Sequence, residues 1–292
     1  MTDKPKGLLP KSVTNLFNTS NLLKILYKPH KIPGAIKEIY HNAYTYYSDI
    51  KFKPTPHEYT LNVYNQSLHG LGRLADKNCK SPLRVLSVTD YISKGTNESE
   101  FASILAALFK SYGSDKSTTH DYYLIYAEVL RNILNDKIKI LEIGLGTNNI
   151  DTLSNMGVDG KPGASLRAFR DACKNASVYG ADIDKRILFQ EDRIQTFFLD
   201  QTQPDSFEEL RTKLEHSTFD LIIDDGLHNS QANINTLNFA LNLLGDSGIF
   251  IIEDININDF NYYKIISAIL EKSHAVFFIQ MKSACLCVIK RK

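Results

Sequence analysis

Two short apolar runs that end abruptly in carboxylates constrain this chain most: Phe219-Asp220-Leu221-Ile222-Ile223-Asp224-Asp225-Gly226-Leu227-His228 and Ile251-Ile252-Glu253-Asp254. A continuous hydrophobic stretch of this kind reads as a buried strand of a parallel sheet. Open α/β sheets collect their ligands outside the carboxyl ends of such strands. Neighbouring strands lie about 5 Å apart, so adjacency of the two runs would bring Asp225, Glu253 and Asp254 to one point, with His228 just beyond. Three clustered carboxylates repel one another unless a cation joins them, and oxygen ligands suit Mg²⁺, Mn²⁺ or Ca²⁺ better than Zn²⁺. A single Asp here could equally cap the following helix. Four such residues at two strand ends favour a metal site.

The two runs sit in a longer alternation. Strands are predicted over Ile138–Ile143, Val178–Asp182, Ile194–Asp200, Phe219–Asp224 and Gly248–Glu253, with helices near Leu166–Lys174, Ser206–Leu214, Gln231–Leu244 and Tyr262–Glu271. Such βα repetition implies a mostly parallel sheet covered on both faces. Upstream, Phe101, Ile104, Leu105, Leu108 and Phe109 share one helix face, and this helix stops at Gly113. A second helix, with Tyr123, Tyr126, Val129, Leu130 and Ile133 inward, leads to the first core strand. Residues 1–98 differ: a basic, proline-interrupted start precedes Tyr40, Tyr44, Tyr46, Tyr47, Tyr59 and Tyr64. The expected organisation is therefore an auxiliary, mainly helical region at 1–98, for oligomerisation or acceptor recognition, and a catalytic-type domain at 99–292. The basic start permits at most peripheral contact with an anionic membrane.

The C-terminus breaks the alternation. His274–Met281 and Ala284–Lys290 are strand-like and only Lys282-Ser283 separates them, which permits an antiparallel hairpin and forbids a parallel crossover. A doubly wound, seven-stranded α/β sheet with a parallel core and a terminal antiparallel hairpin resembles the class I S-adenosylmethionine (SAM) methyltransferases. Dinucleotide dehydrogenases continue instead with another parallel crossover. The turn after the first strand, Glu142-Ile143-Gly144-Leu145-Gly146-Thr147-Asn148-Asn149, brings Gly144 and Gly146 where a cofactor can approach the backbone. Asn149 stands where a dinucleotide fingerprint needs its third glycine. Glu142, just before the glycines, is placed to meet a cofactor ammonium group. Asp182 ends the second strand, where it can accept from both ribose hydroxyls, and Asp184 reads better as a helix N-terminal acid. Asp200 and Gln201 would meet the adenine edge, and Asp224 the boundary between cofactor and substrate. The long connection Asn155–Gly163 reads as a lid.

Gly113-Ser114-Asp115-Lys116…His120, Leu141–Gly146, Pro162–Arg167, Tyr179–Asp182, Ile223–His228 and Ile252–Asp254 together resemble the metal-dependent sugar O-methyltransferases of macrolide biosynthesis, the macrocin and mycinamicin type, and their relatives in surface-polysaccharide clusters. The resemblance covers about residues 100–292. It implies a Mg²⁺ (or Mn²⁺) held by Asp225, Glu253 and Asp254 that chelates two vicinal sugar hydroxyls, with His228 as general base. It further implies that Ser114, Lys116 and His120 help close over SAM, and that the chain is a homo-oligomer.

Composition excludes some classes. Of 292 residues, 43% are hydrophobic and 23% charged, and a net charge of +1 gives no general reason to expect a nucleic-acid partner. No apolar stretch is long enough to span a membrane and no secretory signal is recognisable. Cys79, Cys173, Cys285 and Cys287 form no CxxC pair and read as reduced core residues in the cytoplasm. The acceptor expected is a sugar or a glycoside. Two other readings compete with methyl transfer: a nucleotide-dependent Rossmann oxidoreductase, and a non-catalytic SAM-binding module of a polysaccharide-assembly complex.

Overall fold

A computed structural model describes residues 56–96 and 99–292. The basic start and Tyr40, Tyr44, Tyr46 and Tyr47 lie outside the described residues. The chain divides into two compact units, Met1–Val63 and Tyr64–Lys292. Among the described residues no helix is long and apolar enough to cross a membrane.

Helix α1 (Pro56–Asn78) is followed by a short strand β1 (Val85–Ser87), a single helical turn α2 (Val88–Tyr91), α3 (Glu100–Tyr112) and α4 (Tyr123–Leu130). Ser99 caps α3 by accepting from Ala102 N at 3.1 Å, and the helix ends at Gly113 with φ 86°. Only a residue without Cβ takes that left-handed turn cheaply. The chain then enters the 3₁₀ turn Asp115–Ser117 that will matter at the site. Of the predicted inward face of α3, Leu105 and Phe109 are buried and Ile104 is exposed.

The alternation proper comprises β2 (Lys139–Ile143), α5 (Ala164–Ala172), β3 (Ser177–Asp182), β4 (Gln190–Glu191), β5 (Ile194–Phe198), α6 (Pro204–Lys213), β6 (Phe219–Asp224), α7 (Ser230–Leu243), β7 (Leu244–Ile255), α8 (Phe260–Leu270), β8 (His274–Gln280) and β9 (Cys285–Arg291). They form one sheet of order β1-β8-β9-β7-β6-β2-β3-β5-β4. From β5 to β7 the neighbours run parallel, and β9 enters antiparallel to both β7 and β8. The reversed terminal hairpin is therefore present. The sheet has nine strands rather than seven, because β1 and β4 add one edge strand at each side. Strands of three and two residues carry no periodic signal, which is why the sequence pattern misses them.

The sheet separates two hydrophobic cores. Leu286 and Val288 of β9 join Ile140, Ile223 and Ile251 on one face. Cys285, Cys287 and Ile289 join Leu141, Ile143, Ile222 and Ile252 on the other. This period of two is the pleat of a strand buried on both sides. The two thiols share a face and are free, and burial pushes that of Cys285 up to about 11.

Candidate active site at the strand tips

Burial on both faces leaves only the strand ends for chemistry. A cleft of about 850 Å³ opens there, lined by the tips of β2, β3, β5 and β6 and by Asp151–Met156 of the long connection. Of the predicted residues, Gly144, Gly146, Asp182, Asp200, Gln201, Asp225, His228 and Asp254 line it. Glu142, Asp224, Ser114, Lys116, His120 and Glu253 do not line it.

Gly144 shows how the turn is built. With φ at 94°, a Cβ there would lie 2.0 Å from the carbonyl oxygen of Asp225. Its backbone must pass that close because Gly144 N donates to Ala181 O and Asp225 N donates to Ile143 O, both at 2.8 Å. The glycine thus lets three strand ends converge.

Asp182 is buried, and both its oxygens accept backbone amides, Leu145 N at 2.7 Å and Asp184 N at 2.8 Å. Burial raises its carboxyl above the usual range, against those bonds. Asp184 starts the 3₁₀ turn Lys185–Ile187, accepting from Arg186 N, as its reading as an N-terminal acid implies. Asp224 is wholly buried: its oxygens accept Gln201 Nε2 at 2.8 Å and Asn233 Nδ2 at 3.0 Å. Burial pushes its carboxyl up. Gln201 also donates to Thr236 Oγ1 and accepts from Leu227 N, each at 2.8 Å. Asp224 and Gln201 therefore brace the segment carrying Asp225 and His228. Asp200 turns back on Thr202. The long connection forms a wall, tied by Met156 N to Thr147 O and Gly163 N to Leu145 O at 2.8 Å and by Ser154 Oγ to Gly226 O at 3.0 Å.

The acidic cluster falls into two layers. Facing the cleft, His228 Nε2 lies 4.0 Å from both Asp225 Oδ1 and Asp254 Oδ2. Ligand-type atoms of these three residues lie within 4.8 Å of one another. Behind them, Lys116 Nζ donates to Asp225 Oδ2 and Glu253 Oε2 at 2.6 Å and stands 3.3 Å from Glu142 Oε1. Burial pulls the ammonium pKa down, and Asp225, Glu253 and Glu142 outweigh it and hold it well above its usual value. Burial and the neighbouring Asp225 push the Glu253 carboxyl up, with Lys116 opposing. The layering has a backbone cause. Pairing of β7 with β9 slips between Ile252 and Ile255, and Asp254 takes φ 52°. Such an irregularity re-aims a side chain: Glu253 stays in the core and Asp254 turns to the cleft. Asn229, not Asp224 or Asp225, caps α7.

Two tyrosines hold the consecutive acids. The Tyr126 hydroxyl donates to Glu253 Oε1, and that of Tyr122 to Asp254 Oδ1 at 2.5 Å. The sequence pattern places Tyr126 in the core and gives Tyr122 no role. Their four-residue spacing, which puts both hydroxyls on one helix face, was the available signal. His120 stacks on Tyr122 with ring centroids 4.5 Å apart and lies 3.7 Å from Asp254 Oδ1. A hydrogen bond to Asp115 raises its pKa, against the pull of burial. Ser114 caps the turn that carries Lys116.

No family model matches the chain. The 8-demethyl-8-alpha-L-rhamnosyl tetracenomycin-C 2'-O-methyltransferase of Streptomyces olivaceus is 29% identical over 151 residues, 52% of this chain and 37% of its own length. Demethylmacrocin O-methyltransferase of Streptomyces fradiae is 28% identical over 130 residues, 44% of this chain and 30% of its own. The matches thus span less than two fifths of these relatives. Among solved structures, the MycE methyltransferase of the mycinamycin pathway, in complex with Mg and SAH, aligns with a TM-score of 0.51 at 18% identity, over 64% of this chain and 54% of its own. The fold is that of a class I methyltransferase. The relatives similar in sequence are sugar O-methyltransferases, the group that the motifs resemble.

Proposed function

We propose that this chain transfers a methyl group from SAM to a hydroxyl of a sugar or sugar-containing acceptor, a glycoside or a surface-polysaccharide precursor, with help from a divalent cation. One observation carries the reading: Asp225, Asp254 and His228 meet at the rim of a cleft whose floor is a glycine turn. The similarity to sugar O-methyltransferases supports the acceptor class. The antiparallel β9 speaks against a dinucleotide dehydrogenase.

The residues suit both groups. Gly144 and Gly146 line the cleft together with Asp182, Asp200 and Gln201, a wall suited to a nucleoside. Asp225 and Asp254 offer hard oxygens from two elements, backed by Glu253. When bound, SAM supplies the methyl electrophile and the ion supplies positive charge that acidifies a hydroxyl. His228 Nε2 would take the proton of the hydroxyl whose oxygen accepts the methyl group, leaving S-adenosylhomocysteine. General-base help of this kind is worth about 10²–10⁴-fold.

Calorimetry with S-adenosylhomocysteine is the first test, and no heat at high micromolar ligand would count against the reading. Asp225→Asn is expected to abolish Mn²⁺ binding and turnover, with the homocysteine analogue still bound. His228→Ala is expected to lose about 10²–10⁴-fold in kcat with Mn²⁺ affinity kept. Full activity in EDTA would remove the cation from the mechanism. A second reading, in which His228 is itself a ligand, is favoured because its ring nitrogen and the two carboxylate oxygens lie within 4.8 Å of one another, and loss of Mn²⁺ binding in His228→Ala would select it.

A further inference from the structure

Lys116 has no role in the chemistry above, yet its ammonium faces three carboxylates behind the site. It is only 2% exposed, and its ammonium stands where the ends of β2, β6 and β7 meet. Its three carboxylate neighbours are not equivalent. Glu253 has a second donor in Tyr126, and Glu142 Oε2 has one in Ser165 Oγ at 2.5 Å. Asp225 alone opens to the cleft, its other oxygen toward His228. Glu142 Oε1 is wholly buried and, among the described residues, has no well-aligned donor, although the ammonium lies 3.3 Å away.

We infer that Lys116 is a built-in cation that shares Asp225 with the divalent ion of the proposed site and withdraws toward Glu142 when Asp225 is engaged. This rests on the reading that Asp225 and Asp254 hold an ion. A buried charge is tolerated only while paired. The spare oxygen of Glu142 lets Lys116 release Asp225 with its own charge still compensated. An ammonium and a divalent ion on one carboxylate repel each other, so the lysine weakens ion binding. In return it keeps the acids from repelling one another when no ion is held. Glu142 then serves the lysine rather than the cofactor ammonium, consistent with its absence from the cleft wall.

The experiment is Mn²⁺ titration, read by electron paramagnetic resonance and by thermal melting, on the full chain and its variants. Lys116→Gln, which keeps hydrogen-bond donors and removes the charge, is expected to bind Mn²⁺ at least tenfold more tightly and to gain more in Tm from Mn²⁺ than the unmodified chain. Glu142→Gln is expected to bind at least tenfold more weakly, and to add nothing in the Lys116→Gln background. A folded Lys116→Gln with equal or weaker affinity overturns the inference. So does a Glu142→Gln effect of the same size in both backgrounds. Should Lys116→Gln fail to fold even with Mn²⁺, an unchanged affinity in Glu142→Gln overturns it and a tenfold loss supports it. Mn²⁺ bound by the full chain and lost in Asp225→Asn upholds the underlying site whatever the lysine does. No Mn²⁺ bound by the full chain sinks both.

Discussion

Asp184 gathers six donors at the edge of the cleft: Thr147 Oγ1 at 2.6 Å, Asn149 Nδ2 and Arg186 Nε at 2.7 Å, Arg186 Nη2 at 3.0 Å, Arg186 N at 3.1 Å and Thr152 Oγ1 at 3.5 Å. The Arg186 guanidinium first, then the hydroxyl and amide, hold its carboxyl well below the usual 3.8, against burial. A depressed folded pKa means stability that is full above the unfolded value and lost as pH falls through the folded one. Asp184→Asn can still cap the turn and is expected to lower Tm by about 2–4 °C at pH 7, the shift for about 1 kcal/mol in a domain of this size. The gap should close as pH falls from about 4 toward 2; a gap that persists unchanged at pH 2 would mean the charge is not its cause. Asp254 tests the site differently. Its φ of 52° suits Asp and Asn far better than a β-branched residue. Asp254→Asn is thus expected to melt within about 2 °C of the parent while losing at least tenfold in Mn²⁺ affinity, both readable on one sample.

At the scale of elements, the turn after β2 holds the site together. A methyl group on Gly144 would need the Asp225 carbonyl to retreat, since a Cβ would sit 2.0 Å from it, and φ at 94° adds strain of its own. Gly144→Ala is expected to push β6 from β2, lowering Tm by more than about 5 °C and weakening S-adenosylhomocysteine by at least tenfold in calorimetry. Retained affinity would show that the close approach is incidental. This turn was legible in the sequence because glycine is the residue that tolerates such geometry. Asp225 and Asp254 were legible because apolar runs that stop at acids mark strand ends. The separation of Glu253 from Asp254 was not legible: it comes from a register slip in pairing with β9, a non-local event. Lys116 was legible as a site residue, but its pairing was hidden for the same reason, since its three partners lie 26, 109 and 137 residues away in the chain.

For the molecule as a whole, the sheet ties these parts into one unit. The cleft takes walls from β2, β3, β5 and β6, and those strands carry Ile140, Val178, Ile194, Leu221 and Ile223 into one core and Leu141, Ala181 and Ile222 into the other. Strand direction could be anticipated because a two-residue connection forces the hairpin and the βα repeats force parallel pairing; β1 and β4 escaped because edge strands so short have no period. A ligand in the cleft touches the tips of four adjoining strands of the sheet, so it should stabilise Tyr64–Lys292 as one body rather than one loop. A ligand that binds only the folded state at 100 times its Kd contributes about 2.7 kcal/mol. At about 2–4 °C per kcal/mol, S-adenosylhomocysteine at that excess is expected to raise Tm by about 5–10 °C in calorimetric melting, the transition of this unit moving as a whole. If that transition instead splits, with one component fixed and one shifted, the strand tips are not coupled through the shared cores. The cleft would then be a local feature riding on an indifferent scaffold, and acid and histidine could not be held in register by the sheet as the proposed chemistry requires.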